Sequence, residues 1–220
     1  MDIFDIIGPV MIGPSSSHTA GAVKIGNIAL AIFGERIEKA VIHLYNSFAD
    51  TGKGHGTDIA LVGGLLGMAV DDENIVNAYD EAKKRGVDIN VMWEKGFSEE
   101  YEPNTAVIEM HNAEKSACVT AVSVGGGRVM ATNVDGYATR LCCEHDTLIT
   151  VHKDVVGVVA KVSSVFAEYG VNIAFIRLHR RVKGEEMMVV ETDDPICDEI
   201  LKRVLSFDEV KKAARIKKTT

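Results

Sequence analysis

The chain has 220 residues with 24 Lys and Arg against 32 Asp and Glu, a formal net charge of -8 at pH 7. That balance argues against nucleic acid or an anionic membrane as the main partner, although local basic pockets remain compatible with it. The length gives room for one or two domains with a real core, and 46% hydrophobic against 25% charged residues fits a folded soluble protein.

No apolar run is long enough to span a bilayer, and Met1-Asp2-Ile3-Phe4-Asp5 lacks the basic start of a secretory signal, so the expected compartment is the cytoplasm. The four cysteines, Cys118, Cys142, Cys143 and Cys197, form no framework. The adjacent pair is neither a CxxC motif nor a zinc knuckle, so reduced, mostly buried thiols are expected, and no metal bound by this chain alone.

The least ordinary stretch comes first: Gly13-Pro14-Ser15-Ser16-Ser17-His18-Thr19-Ala20-Gly21. Gly13 and Pro14 stop what precedes them. From Ala20 onward Val23, Ile25, Ile28, Ala29, Ile32 and Phe33 follow the spacing of a buried helix face. Ser16 or Ser17 is the expected N-cap. The first turn has no Asp or Glu; it offers hydroxyls, His18 and, one turn on, Lys24, which suits an external anion. A Ser-rich cap with a solvated histidine fits the same residues.

Residues 37–46 read as a strand, 47–56 as a loop and the run from Thr57 as a helix whose Gly63-Gly64 and Gly67 suggest close packing. Asn74 to Arg85 reads as an amphipathic helix ended by Gly86. Strands follow at 87–93 and 105–111, with a polar loop at 98–104. Residues 117–124 and 128–133 flank Gly125-Gly126-Gly127 as a hairpin. A polar break at Cys143-Glu144-His145-Asp146 opens a second unit: strand 147–152, helix 157–169, strands 171–180 and 186–192, a helix to Leu205 started by Asp194-Pro195, and a last strand at 209–216. The order β-α-β-β-α-β is the ferredoxin-like arrangement.

The loop Gly52-Lys53-Gly54-His55-Gly56-Thr57-Asp58 is not a Walker A loop, because the order GxxxxGK[ST] is missing. His55 in such a glycine loop reads as solvated or catalytic. Asp58 ranks below the histidines, since a helix N-terminus already suits it. His43 reads as structural, and His111, His145 and His179 have no partner at an informative spacing.

GPSSSHT, together with GKGHGTD and the second unit, resembles the β subunit of the iron–sulfur-dependent L-serine dehydratases from Met1 to about Ile216. The resemblance implies an α+β fold. Residues 1–143 would form a serine dehydratase beta-chain domain, similar to the allosteric-substrate-binding domain of some phosphoglycerate dehydrogenases. Residues 147–220 would form an ACT domain, which His152-Lys153-Asp154-Val155-Val156-Gly157 and Gly170-Val171-Asn172-Ile173 resemble; Val156 stands where many ACT domains have proline.

The implied reaction is L-serine to pyruvate and ammonia, run with an alpha subunit that carries a [4Fe–4S] cluster as Lewis acid. His18 and His55 match the positions that reach the active site, and Ser15, Ser16, Ser17 and Thr19 are candidates for the substrate carboxylate. His152, Asp154, Gly157 and Asn172 would bind L-serine as effector, between ACT domains paired in a homodimer. A rival of another class, an amino-acid-sensing module of some other enzyme, explains the second unit but leaves the two histidine motifs without a use. A metal-free stand-alone enzyme lacks a visible nucleophile–base–orienter set.

Overall fold

The computed structural model describes residues 10–142 and 144–218. Residues 1–9, Cys143 and residues 219–220, which the domain limits expected above include, lie outside the described residues. The chain divides into two compact units, residues 1–135 with 140–142, and residues 136–139 with 143–220.

The first unit is built on a six-stranded sheet, except that residues 137–139 of its last strand group with the second unit. Its strands are β1 (Lys39–Asn46), β2 (Asp88–Trp93), β3 (Asn104–His111), β4 (Ser116–Gly125), β5 (Arg128–Val134) and β6 (Tyr137–Leu141), in the order β2-β1-β3-β4-β5-β6. β1 runs parallel to β2 and antiparallel to β3. Among the described residues four α-helices accompany it: α1 (Gly21–Phe33), α2 (Ser47–His55), α3 (Thr57–Leu65) and α4 (Ala78–Lys84). Ile42 and Leu44 of β1, Ala106 and Ile108 of β3 and Val119 and Ala121 of β4 share one buried face by their register, and α1 packs against β4 and β5.

The glycines of α3 have the packing role expected of them. A Cβ on Gly64 would fall 2.9 Å from Gly26 Cα and closer still to the Val23 carbonyl; one on Gly26 would fall 2.7 Å from Leu65 N. Two helices can approach this closely only where neither carries a side chain at the contact, which outweighs the helix-propensity cost of glycine.

Four local expectations are corrected. Residues 47–55 are not a loop but helix α2, in spite of Gly52 and Gly54. Phe48 is fully buried, and Gly52 fits where a Cβ would press on Thr57 and Trp93, so tertiary packing overrides propensity here. The expected helix over 74–85 starts as a 3-10 turn, Glu73–Asn77, capped by Asp72, and only Ala78–Lys84 is α-helical. Asp194-Pro195 does not open its helix: α6 begins at Asp198 after Cys197. Asp146 Oδ2 accepts the Ile196 N–H at 3.0 Å and Thr192 Oγ1 donates to the Asp194 carbonyl at 2.8 Å, which holds the approach extended. Strand β6 was not expected at all; the turn before it, Asp135-Gly136, has both residues at positive φ, 51° and 84°, and Asp-Gly between alternating residues is the hairpin signal for it.

The second unit has strands β7 (Asp146–Lys153), β8 (Ile173–Val182), β9 (Glu185–Thr192) and β10 (Val210–Ile216), in the order β10-β7-β9-β8, with helices α5 (Val158–Glu168) and α6 (Asp198–Leu205). Leu148, Met188 and Val190 of the sheet meet Val162, Val165 and Phe166 of α5 and Ile200 and Val204 of α6 in one core. This is the ferredoxin-like βαββαβ arrangement, all neighbours antiparallel. No helix among the described residues is long and apolar enough to cross a membrane.

Candidate active site

The Ser-rich stretch folds as a π-helical turn, Ser16–Ala20, that runs into α1. Its N-cap is Ser15, rather than Ser16 or Ser17: Ser15 Oγ accepts the His18 N–H at 3.0 Å. The wider π turn moves the capped position back by one residue, because the Ser15 carbonyl also takes the Thr19 and Ala20 N–H groups. No acidic residue stands in the first turn. Thr19 is buried, and its hydroxyl donates to the His55 carbonyl at 3.1 Å, which ties the first histidine motif to the end of α2. Ser15 and Thr19 thus use their hydroxyls in building the site, while Ser16 and Ser17 are half-buried beside it. A Cβ on Gly125 would lie 4.0 Å from Ser17 Oγ, so the triple-glycine hairpin, a turn as expected, also borders this stretch.

His18 and His55, far apart in sequence, come together with ring centroids 4.7 Å apart. The His18 ring also meets Phe48 edge-on at 5.3 Å. His18 Nε2 faces Thr51 Oγ1 at 3.0 Å and Ser47 Oγ at 3.3 Å, and the His18 ring also bonds the Ser47 backbone. Thr51 Oγ1 gives its own hydrogen to the Ser47 carbonyl at 2.9 Å, so it can only accept from the ring. The neutral His18 tautomer that fits this contact carries its proton on Nε2 and leaves Nδ1 as the accepting nitrogen. His55 is set the opposite way: Nδ1–H donates to the Thr51 carbonyl at 3.0 Å, which leaves Nε2 as the basic nitrogen.

Burial holds the His18 pKa below its ordinary value; the bond to Ser47 opposes that, and the nearby charge of His55 adds to it. Two imidazoles this close disfavour a second proton. Such a pair can chemically accept a proton on one ring and deliver one from the other, the division of labour general acid–base chemistry needs. Burial also lowers the pKa of Lys24 on α1. Asp58 is committed elsewhere, accepting from Tyr79 Oη at 3.1 Å, and burial, with this carboxylate, raises the tyrosine pKa.

Ser47 and Thr51 were not singled out from the sequence. They lie one helical turn apart on α2, and the i, i+4 relation becomes visible only once residues 47–55 are known to be helical. His43, read as structural, pairs with Glu94 Oε1 at 2.7 Å. His145 has partners after all, Asp193 at 4.0 Å and the Phe175 ring at 5.9 Å.

In the second unit His152 is buried, with Nδ1 on the Lys153 carbonyl at 2.9 Å and Nε2 buried without a hydrogen-bond partner. Asp154 pairs with Arg180 at 3.0 Å, and Gly157 starts α5 at φ 94°. Asn172 donates to Asp193 Oδ2 at 2.6 Å. One chain does not bring these four together. β7 and β8 both run antiparallel to β9, hence parallel to each other, so the loop after β7 lies at the end of the sheet where β8 finishes while Asn172 lies where β8 begins. The length of β8 separates them, on the order of 30 Å.

Known proteins give the same division. The family described as serine dehydratase beta chain matches residues 1–134, and the ACT domain family matches residues 145–208. The chain is 40% identical over 215 residues to a probable L-serine dehydratase beta chain of Bacillus subtilis (strain 168), covering 97% of each chain. It is 34% identical to the L-serine dehydratase beta chain of Peptoniphilus asaccharolyticus, covering 93% of each. It is also 26% identical to a D-3-phosphoglycerate dehydrogenase of Synechocystis, over 89% of this chain but 35% of that one. With near full-length matches and a histidine pair assembled from its two N-terminal motifs, the chain belongs to the serine dehydratase beta chain family.

Proposed function

We propose that this chain is the beta subunit of a cytoplasmic L-serine dehydratase and converts L-serine to pyruvate and ammonia together with an alpha subunit. The observation that carries this reading is the His18–His55 pair, with a basic Nδ1 on one ring and a basic Nε2 on the other. Eliminating water from serine requires removal of the α-proton and protonation or capture of the departing hydroxyl; the aminoacrylate then hydrolyses to pyruvate and ammonia. His18 and His55 serve the proton transfers. The substrate carboxylate faces the acid-free start of α1, beside Ser16 and Ser17.

The [4Fe–4S] cluster implied by the resemblance falls to the alpha subunit. Among the described residues no three His, Cys, Asp or Glu side chains stand together as a metal set; Cys118 lies in β4, Cys142 just after β6 and Cys197 just before α6. No step on this chain runs through it. Anaerobic reconstitution of each subunit with iron and sulfide tests the assignment. This chain is expected to stay colourless while the alpha subunit gains cluster absorbance; a stable brown beta chain with stoichiometric iron overturns it.

L-serine is also the proposed effector of the ACT domain, held between two copies of the chain. His152, Asp154 and Gly157 come from one copy and Asn172 from its neighbour, an arrangement supported by their separation within a single chain. Edge strand β8, with Phe175 50%, Ile176 38% and Leu178 46% exposed, supplies the pairing surface. Asn172→Ala is expected to abolish activation at low serine while leaving the rate at saturating serine unchanged, read from saturation curves of the two-subunit enzyme. Superimposable curves remove Asn172 from the effector site. The effector can shift the enzyme by no more than its preference for one state over the other.

A further inference from the structure

Asn46 is the last residue of β1, and Ser47 after it is the first of α2, so no linker separates strand from helix. The whole reversal is made within Asn46, at φ 51° and ψ -124°. Glycine occupies that region freely; a residue with a Cβ enters it only under strain, and such strain persists where the surroundings over-determine it. Asn46 is 4% exposed. Its Nδ2 donates to the Tyr101 carbonyl at 2.7 Å and the Ser98 carbonyl at 3.0 Å, with the Glu102 carbonyl at 3.4 Å, while Oδ1 accepts the Ser98 N–H at 2.8 Å. The segment it grips is held on both sides: Tyr101 lies against Tyr45 with ring centroids 4.1 Å apart, and the Phe48 N–H donates to the Pro103 carbonyl at 3.3 Å.

The helix that starts from this point holds both histidines. Its first residue, Ser47, and its fifth, Thr51, meet His18 Nε2, and the Thr51 carbonyl meets His55 Nδ1. A change in the direction of the first turn of α2 would move all of these contacts at once. We propose that Asn46 is a positioning residue: by clamping residues 98–102 it holds a strained strand-to-helix reversal that aims Ser47 and Thr51 at His18 and so fixes which His18 nitrogen carries the proton. Glycine at this position would accept the backbone but leave 98–102 unheld. Aspartate would set a carboxylate against carbonyl oxygens. Asparagine offers donor and acceptor together on one short side chain.

The part of this inference that concerns rate rests on the proposed role of His18; the part that concerns the proton does not, and the test separates them. Ring ¹⁵N shifts of His18 in the full chain at pH 8 are expected to show the Nε2–H form in the wild type and a mixture of tautomers in Asn46→Gly. With the alpha subunit present, Asn46→Gly is expected to lower kcat about 10-fold or more, as small misplacements of catalytic groups do, with a smaller change in KM. An unchanged tautomer in Asn46→Gly overturns the inference whatever the rate. A shifted tautomer with an unchanged rate upholds the positioning role and instead removes His18 from the chemistry. Should Asn46→Gly fail to fold, Ser98→Pro removes the N–H that Oδ1 accepts and leaves residue 46 intact; it is read by the same shifts with the same two outcomes.

Discussion

Replacing His18 or His55 by alanine is expected to lower serine turnover of the two-subunit enzyme by at least ~10²-fold, the usual worth of a positioned acid or base. Neither substitution should unfold the chain. Both rings are half-buried. His18 touches Phe48 and bonds Thr51, His55 bonds the Thr51 carbonyl, and removing either ring's interactions costs about 1 kcal/mol at most. The pH dependence has a definite sign. Burial depresses the His18 pKa, so the folded chain favours the neutral ring. As a base His18 then stays competent below the ordinary histidine value of about 6.5, and the acidic limb of kcat/KM should fall below that pH.

The same shift affects stability. Above about pH 6.5 both folded and unfolded chains hold a neutral ring; as the pH falls further the unfolded chain takes the proton first, and stability is lost through the folded pKa. Melting curves between pH 7.5 and 5 should therefore show a weaker pH dependence in His18→Ala than in the wild type. Near-normal rates in both alanine variants would return the pair to a purely structural role.

Gly64→Ala is expected to destabilise the first unit by about 1–2 kcal/mol net. Two effects compete. Alanine in a helix interior is favoured over glycine by about 1 kcal/mol, while forcing a methyl group into a filled contact costs about 1–3 kcal/mol. At Gly64 the obstructing atoms are the Val23 carbonyl and Gly26 Cα, backbone that no rotamer change can move aside. The clash wins. Gly54→Ala is the matched control: nothing lies within 4 Å of an added Cβ there, and the residue sits inside α2, so it should be neutral or stabilising by up to about 1 kcal/mol. Urea unfolding of the full chain reads both. Equal stability of Gly64→Ala and wild type would contradict the α1–α3 contact.

Much of this architecture was legible because its signals are local. The apolar spacing from Val23 to Phe33 gave α1, the triple glycine gave a hairpin, and Gly86 and Gly170 lie just beyond α4 and α5. The errors share a physical cause. Residues 47–55 contain two glycines and only one buried large side chain, so no periodicity announces a helix; contacts with Thr57 and Trp93 decide it. The site followed the same rule. His18 and His55 stood out by their motifs, but Ser47 and Thr51 became recognisable only with α2 in place, and Asn46 only through its dihedral angles and its distant partners at 98–102. In the ACT domain the motif residues were visible, whereas their placement at opposite ends of the sheet depends on strand order, which no local signal carries.

On the proposed function this chain completes an active site that it cannot run alone. Anaerobic deamination of L-serine is measured with this chain alone, the reconstituted alpha subunit alone, and the two mixed. Pyruvate should form at a substantial rate only in the mixture and should saturate at a fixed ratio of the two chains. Full turnover by the alpha subunit alone, or a mixture no more active than its parts, would show that this chain does not complete the site.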